Sequence, residues 1–179
     1  MMEIIGYILF ALVLAIAAIL LIASTRPDDF QVSRTRTIAA PPEQVFPLIA
    51  NLRRMNTWNP FALRDPASTV SYTGPDAGKG TTHTFNGKKS GVGSIEVLEA
   101  HAPTTIVMRL IMTKPFKADN RVAFTLKPNS GGTTDVTWTM GGKQPLFAKA
   151  MTLFIDCDRM VGRDFDAGLD SLKRMAESG

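Results

Sequence analysis

The sequence predicts an α+β protein in which an antiparallel sheet of about seven strands packs against a long C-terminal helix, with a transmembrane helix ahead of both. Three observations lead to this prediction. The chain begins with a long uncharged apolar run, and its middle consists of short alternating segments separated by turn residues. Its last part repeats apolar side chains every three or four positions.

The apolar run lies at Ile4–Ala23 and holds 20 residues without a charge. A helix of that length rises about 30 Å, which matches the hydrocarbon thickness of a bilayer. A cleaved signal peptide is the alternative, but its apolar core would be only about 7–15 residues long and would follow basic residues. No Lys or Arg precedes this run. We therefore predict a single-pass anchor in the lipid bilayer over residues 1–25 and a linker over 26–29.

The side of the membrane on which the rest of the chain lies is only weakly indicated. Arg26, Arg34 and Arg36 follow the apolar run, while the α-amino group alone precedes it. This bias favours a cytoplasmic C-terminal domain. Because the charge difference is small, the opposite orientation stays open.

The second predicted domain covers residues 30–179 and opens with a strand and a helix. Alternation over residues 30–38 predicts the strand, which Pro41 and Pro42 end. Proline suits the first turn of a helix, so a helix is expected to continue from there to Ile49. A second short helix or a turn is expected over residues 51–59.

Six more strands are predicted, because each segment alternates and ends at turn residues. They lie at residues 70–72, 81–86, 93–100, 105–113, 121–127 and 134–140. Short strands repeated in this way favour an antiparallel meander.

The last predicted element is one long amphipathic helix, since no proline occurs between Pro145 and Ser178. Its expected buried face carries residues spaced by three and four, namely Met151, Phe154, Asp158, Val161, Phe165, Gly168 and Leu172. Glycine inside a helix costs about 1 kcal/mol. Gly162 and Gly168 therefore predict close approach of a neighbouring element.

Four stretches carry a resemblance to a known family: residues 36–46, 58–61, 93–98 and 158–173. They resemble the SRPBCC (START/Bet v 1-like) superfamily, in particular its bacterial polyketide cyclase/dehydrase-like branch, over about residues 30–176. The resemblance implies a helix-grip fold, in which a curved sheet wraps around the C-terminal helix and leaves an apolar cavity. Members bind lipids, sterols, polyketides or hormones, and a minority are enzymes.

A cavity of this kind needs an apolar lining. The residues that we expect to bind the ligand are Phe85, Met108, Met112, Phe124, Trp138, Met140, Phe154 and Asp158. The alternative is that the apolar members simply fill the core. Trp58 and Phe61 would either close the cavity mouth or fix the early helices to the sheet.

Asp158 and His83 are the candidate catalytic residues. Asp158 occupies a position in the otherwise apolar stripe, where a buried carboxylate would need a partner. It would orient a ligand or transfer a proton, or else it bonds to the strand backbone or turns to the surface. His83 shares strand parity with Phe85 and would form an acid–base pair with Asp158 if the two met. Tyr72 is a further candidate for such an enzyme.

Composition excludes several classes of site. The single cysteine excludes an intramolecular disulfide and a zinc site built on paired cysteines, and two histidines leave little for a metal centre. We expect no metal and no cofactor. The net charge of +4 is spread over short clusters, which does not favour nucleic-acid binding.

The sequence therefore predicts a membrane-tethered domain that binds a hydrophobic small molecule or lipid between sheet and C-terminal helix. An enzyme that acts on a polyketide-like substrate with polar cavity residues is the first alternative. A non-catalytic scaffold or stress-response partner is the second.

Overall fold

Six helices and seven strands form the fold in residues 2–154 and 156–178, which are the residues that the structure, a computed structural model, describes. All seven predicted strands are present. The elements follow one another as α1 (Met2–Ser24), β1 (Asp29–Ile38), α2 (Pro42–Ala50), α3 (Leu52–Met55), α4 (Pro60–Leu63), β2 (Thr69–Thr73), β3 (Thr82–Gly87), β4 (Gly91–His101), β5 (Thr105–Lys114), β6 (Ala118–Pro128), β7 (Thr134–Lys143), α5 (Leu146–Met151) and α6 (Cys157–Glu177).

The strands form one antiparallel sheet in the order β1-β7-β6-β5-β4-β3-β2. Strands β2 to β7 form the predicted meander, and β1 returns beside β7. The pairing of β4 with β5 shifts register between Val92 and Gly93 and again between Val97 and Glu99. Such irregularities bend a strand and increase its twist. The α+β class, the antiparallel sheet and the long C-terminal helix are thus confirmed.

The short helices after β1 are held by asparagine caps. The Asn51 side chain accepts hydrogen bonds from the backbone N–H groups of Arg53 and Arg54 at the start of α3. The Asn59 side chain accepts one from Phe61 N at the start of α4. A side-chain acceptor at this position satisfies backbone donors that the helix itself cannot pair.

The core lies between the sheet and α2, α3 and α6. Trp138 on β7 stacks against Phe165 of α6, with ring centroids 4.1 Å apart. Trp58 meets Trp138 edge-on at 5.8 Å, and its Nε1–H donates to Leu48 O at 2.9 Å. Trp58 therefore fixes the early helices to the sheet, which was one of the two roles predicted for it.

The prediction of one continuous C-terminal helix is wrong for the first part of that segment. The segment contains two helices, α5 and α6, and α6 starts at Cys157. Asp156 ends the connecting turn, and its side chain accepts a hydrogen bond from Arg159 N at 2.9 Å. Because Asp156 caps a new helix, the chain does not continue as one helix through this point. The apolar residues before and after it are nevertheless spaced by three and four, which is why the sequence suggested a single helix.

Several elements meet at one end of the sheet, which we call the α1 end. In the register, Asp29 of β1 pairs with Lys143 of β7, and Asn120 of β6 pairs with Gly142. The β5–β6 turn, with Phe116 near its tip, lies at the same end because Met112 pairs with Ala118. Helix α1 enters β1 here and α5 leaves β7 here, and the two helices contact each other.

Helix α1 is long and apolar enough to cross a membrane once, a property that signal sequences and buried core helices share. No part of its most apolar window is buried against the rest of the chain. This exposure does not fit a core helix. The side of the membrane that the sequence favoured stays a prediction.

Candidate functional site

A cavity of about 290 Å³ lies between the sheet and the helices α4 and α6. The sheet supplies one wall from alternate residues of its central strands, because side chains two positions apart point to the same face. The helices supply the opposite wall. The lining residues are Met55, Asn59, Phe61, Ala62, Ser68, Phe85, Ser90, Ile95, Met108, Leu110, Met112, Asn120, Val122, Trp138, Met140, Val161 and Phe165.

The cavity extends toward the α1 end of the sheet. Met112 and Asn120 lie within a few residues of the β5–β6 turn, and Met140 lies near the end of β7. The side chains around it are mostly apolar, with methionines on α3, β5 and β7. Methionine side chains are flexible and polarisable, so this wall can adapt to ligands of different shape.

Five of the eight residues predicted to bind a ligand line the cavity: Phe85, Met108, Met112, Trp138 and Met140. Phe124 does not line it. Its ring is fully buried in the core, where it packs 5.0 Å from Trp138. Whether any of these residues binds a ligand stays a prediction.

Phe154 and Asp158 lie outside the cavity, which corrects their predicted position. Phe154 falls in the turn between α5 and α6 and is 73% exposed. Asp158 is in the first turn of α6, and its side chain is 60% exposed. The physical reason is that a new helix starts at Cys157, after the Asp156 cap, and an acidic residue in its first turn is stabilised by the helix dipole rather than by burial.

Asp158 forms an ion pair with Arg34 of β1. The Arg34 guanidinium donates from Nη2 to Asp158 Oδ2 at 2.9 Å and from Nη1 to Oδ1 at 3.2 Å. Hydrogen bonding to Arg34 is the main cause that lowers the pKa of the Asp158 carboxyl. Gly162 leaves the room that this guanidinium occupies, since a Cβ there would lie 1.9 Å from Arg34 Nη2. The close approach predicted at Gly162 is confirmed.

His83 lies apart from Asp158, in a cluster between β2, β3 and α3. Its ring stacks on Tyr72 with centroids 4.9 Å apart, and Asn56 Nδ2 lies 3.2 Å from its Nε2. The Arg53 guanidinium also lies over the Tyr72 ring, 4.2 Å from its centroid. Burial lowers the pKa of His83, which favours the neutral imidazole. The predicted pair of His83 with Asp158 is not formed.

Four polar side chains that the sequence did not single out belong to the cavity wall, namely Asn59, Ser68, Ser90 and Asn120. Asn120 is 8% exposed, and its Nδ2 faces the weak acceptor Met140 Sδ at 3.9 Å. Asn59 is also buried and accepts from Phe61 N through its side-chain oxygen. The indole Nε1–H of Trp138 has no acceptor among the residues that the structure describes. That nitrogen is itself fully buried, so the donor that the wall offers to an oxygen-bearing ligand is the Asn120 amide.

Phe61 and Leu110 also line the cavity. Phe61 is half-buried, which agrees with the alternative that it borders the cavity mouth. Leu110 shares the inward face of β5 with Met108 and Met112. The alternation already placed these three residues on one face, so the signal for Leu110 was present in the sequence.

Within the described part of the chain, no group of three or more His, Cys, Asp or Glu side chains is arranged to hold a metal ion.

The sequence pattern of the family described as polyketide cyclase / dehydrase and lipid transport matches residues 29–177. This match begins after α1 and ends at the last residue of α6. No curated protein matches the chain significantly.

Solved structures with the same fold come from several sources. Protein jhp0584 from Helicobacter pylori aligns with a TM-score of 0.62 at 13% identity, over 82% of this chain and 88% of that chain. Protein CV1439 from Chromobacterium violaceum aligns with a TM-score of 0.57 at 17% identity, over 84% and 99%. DynU16, from the dynemicin biosynthetic locus, aligns with a TM-score of 0.57 at 16% identity, over 86% of this chain and 49% of DynU16. At these identities the likeness shows the fold alone.

Proposed function

The chain belongs to the polyketide cyclase / dehydrase and lipid transport family, and from this premise we propose that it binds one hydrophobic small molecule or lipid chain in the cavity while α1 holds it at a membrane. The cavity is the observation that carries the proposal. Its lining is mostly apolar and lies between a rigid sheet and two helices. Enclosed apolar sites with a few polar groups are typical of small-molecule binding.

The volume limits the size of the ligand. At ~30 Å³ for each water molecule in the liquid, 290 Å³ corresponds to roughly ten water molecules. A single ring system or one medium acyl chain is of that order, whereas a complete two-chain lipid is much larger. The proposed ligand is therefore a small apolar molecule or one chain of a lipid.

The polar groups of the wall suggest that the ligand carries oxygen. Asn120 supplies the donor described above, and Ser68 and Ser90 add two hydroxyl groups to the lining. The Ser90 hydroxyl already donates to Asp65, so it can only accept from a ligand. A carbonyl or hydroxyl group on the ligand would replace the weak Asn120–Met140 contact with an ordinary hydrogen bond. The apolar remainder of the ligand would occupy the space among the methionines.

An anchor in the bilayer fits this ligand class, because apolar molecules concentrate in membranes. The tether would keep the cavity close to that supply. An enzymatic role has less support, since the two candidate catalytic residues lie in separate places and Asp158 points away from the cavity.

We expect the full chain, in lipid nanodiscs, to bind 2-naphthol and to release it on addition of decanoic acid. Both probes have a size that the cavity admits and carry oxygen. Binding is measured by naphthol fluorescence. Replacing Leu110, which lines the cavity, by Trp fills part of the space and should weaken binding at least tenfold.

Ile111→Trp is the matched control. Ile111 is the next residue of β5, is half-buried like Leu110, and lies on the outer face of the sheet beside Thr113. Its substitution should leave binding unchanged. Equal binding by both variants would contradict the proposal, because the signal would then come from the nanodisc lipid.

A further inference from the structure

Large apolar side chains are exposed at the α1 end of the sheet, outside the cavity. We call this set the apolar rim: Phe116, Leu146, Phe147, Met151 and Phe154. The rim joins the β5–β6 turn to α5, since the rings of Phe116 and Phe147 lie 5.9 Å apart. Contiguous exposed apolar surface of this kind marks contact with a partner or a membrane.

Helix α5 has the reverse of the usual amphipathic arrangement. Phe147 is 59% exposed, and Leu146 and Met151 are exposed as well, while Lys149 is only 6% exposed. A helix that packs on a soluble domain in water buries its apolar residues and exposes its lysine. The reversed arrangement is stable when the outer face meets an apolar medium.

Lys149 fixes α5 in this orientation. Its Nζ donates to Arg26 O at 3.0 Å and pairs with the Asp28 carboxylate. Arg26 follows the last turn of α1, so the ammonium group lies where the negative end of the helix dipole points. The Lys149 ammonium is the main cause that lowers the pKa of the Asp28 carboxyl. The pair therefore ties the end of α1 to the inner face of α5.

We propose that the apolar rim lies in the interface of the same bilayer that holds α1 and forms a second membrane contact. The inference rests on the proposed function for the tether. The occupant is a lipid surface because the rim continues from α1: α1 contacts α5, and the lysine pair joins them. A spanning α1 ends at the membrane surface, so residues packed beside its last turn lie at headgroup depth.

The charges around the rim suit anionic headgroups. Lys114 and Lys117 flank Phe116 and are exposed. Three acidic groups at this end, Asp28, Asp29 and Asp119, are each paired with a basic side chain, and Asp156 caps the first turn of α6. Basic residues beside an apolar surface are typical of proteins that bind anionic membranes.

The contact would give the cavity a direct source of ligand. Met112, Asn120 and Met140 border the cavity at the same end of the sheet as the rim. With the rim in the interface, this end of the cavity faces the lipid rather than open water. A hydrophobic ligand would then enter from the bilayer.

Nitroxide labels on the full chain test the contact. Single cysteines replace Phe147, Phe116, Leu12 or Ser130 in a Cys157→Ser background, and each variant is placed in nanodiscs of phosphatidylcholine and phosphatidylglycerol at about 3:1. Leu12 lies in α1, and Ser130 lies in the β6–β7 turn at the far end of the sheet. Collision of each label with oxygen and with a water-soluble nickel chelate reports its depth.

For labels at Phe147 and Phe116, the ratio of oxygen collisions to nickel-chelate collisions should be several-fold higher than at Ser130. It should approach the ratio measured at Leu12. Ratios equal to that at Ser130, with Leu12 in lipid, would overturn the second contact and leave the tether standing. A label at Leu12 that behaves like Ser130 would overturn the tether and the rim together. Dipolar broadening between labels at Phe147 would instead assign the rim to a second copy of the chain and overturn the lipid contact.

Discussion

Asn120 places a carboxamide in a wall that is otherwise made largely of apolar side chains. It lies on β6 in register with Gly142, and a Cβ on Gly142 would come within 2.2 Å of Asn120 Oδ1. Glycine at position 142 thus makes room for the amide. A buried polar group that meets only a thioether contributes little to folding, so we assign its role to the ligand.

Asn120→Leu should weaken binding of decanoic acid by about fivefold to tenfold, because one hydrogen bond contributes about 1 kcal/mol. The stability of the protein should stay the same or rise. Titration of the full chain in nanodiscs measures the affinity, and urea unfolding measures the stability. Asp158→Asn is the control, since Asp158 faces the solvent and Arg34. The role assigned to Asn120 would be wrong if the two variants bound equally well.

The burial of His83 predicts how the stability of the protein depends on pH. Burial lowers its pKa below the ordinary value of 6.5, so the unfolded chain binds a proton at higher pH than the folded chain does. The stability that this residue contributes is therefore complete above about pH 6.5 and is lost as the pH falls below that value.

The urea midpoint of the full chain in detergent should fall more between pH 7.5 and pH 5.5 than that of His83→Gln. Carboxyl groups titrate in both proteins, so the difference between the two decreases isolates His83. His101→Gln, at an exposed histidine, should behave like the unmodified chain. An equal decrease in His83→Gln and the unmodified chain would refute the assignment.

The sequence predicted five of the cavity residues that lie on strands, because alternation along a strand shows which side chains share a face. Strand parity located Phe85, Met108, Met112, Trp138 and Met140 on the inner face. Asn120 was missed because β6 was predicted to begin at Arg121, whereas it begins at Ala118. For Asp158 the structure supports the alternative, a surface position, over a place in the cavity. The three–four spacing could not decide between the two, because it does not show where a helix begins. The contact between Arg34 and Asp158 joins residues far apart in sequence, and no local pattern encodes it.

At the scale of elements, the approach of α6 to the sheet depends on Gly168. A Cβ on this residue would lie 2.7 Å from Trp138 Cζ3 and 2.9 Å from Pro60 Cδ. Both neighbours are atoms of rings, one in the buried Trp138 and one in the half-buried Pro60, so they cannot move aside as the end of a flexible side chain would. The close approach that the sequence predicted from a costly glycine is confirmed at this position.

Gly168→Ala should lower the stability of the protein, although alanine favours a helix by about 1 kcal/mol over glycine. Overpacking against Trp138 and Pro60 costs about 1–3 kcal/mol, which exceeds that gain. Urea unfolding measures the change. Ala167→Gly, at the preceding exposed position, measures the helix preference alone. A rise in stability for Gly168→Ala equal to the loss in Ala167→Gly would show that the contact imposes no constraint.

The two ends of the C-terminal segment show what periodicity can predict. From Val161 to Leu172 the three–four spacing identified the face of α6 that packs on the sheet, and Phe165, Leu169 and Leu172 are buried there. Before Asp156 the same spacing continued into α5, where the apolar residues are exposed. Apolar periodicity identifies a face but not the medium that covers it.

At the scale of the whole molecule, one end of the sheet brings together α1, the apolar rim and the adjacent end of the cavity. Sequence predicted the anchor and the sheet separately, because each has a local pattern. Their juxtaposition follows from strand register and from the Lys149–Asp28 pair, which joins residues about 120 positions apart. We therefore propose that the protein is a membrane-anchored domain that binds a small hydrophobic ligand.

Native mass spectrometry tests this proposal most directly. The full chain is placed in nanodiscs made with lipid extracted from the cells that express it, and is then released from them for measurement. The unmodified chain and Ile111→Trp should each retain one copy of a small apolar molecule, while Leu110→Trp should retain none. The same bound mass on all three proteins, or no bound mass on any of them, would contradict the account.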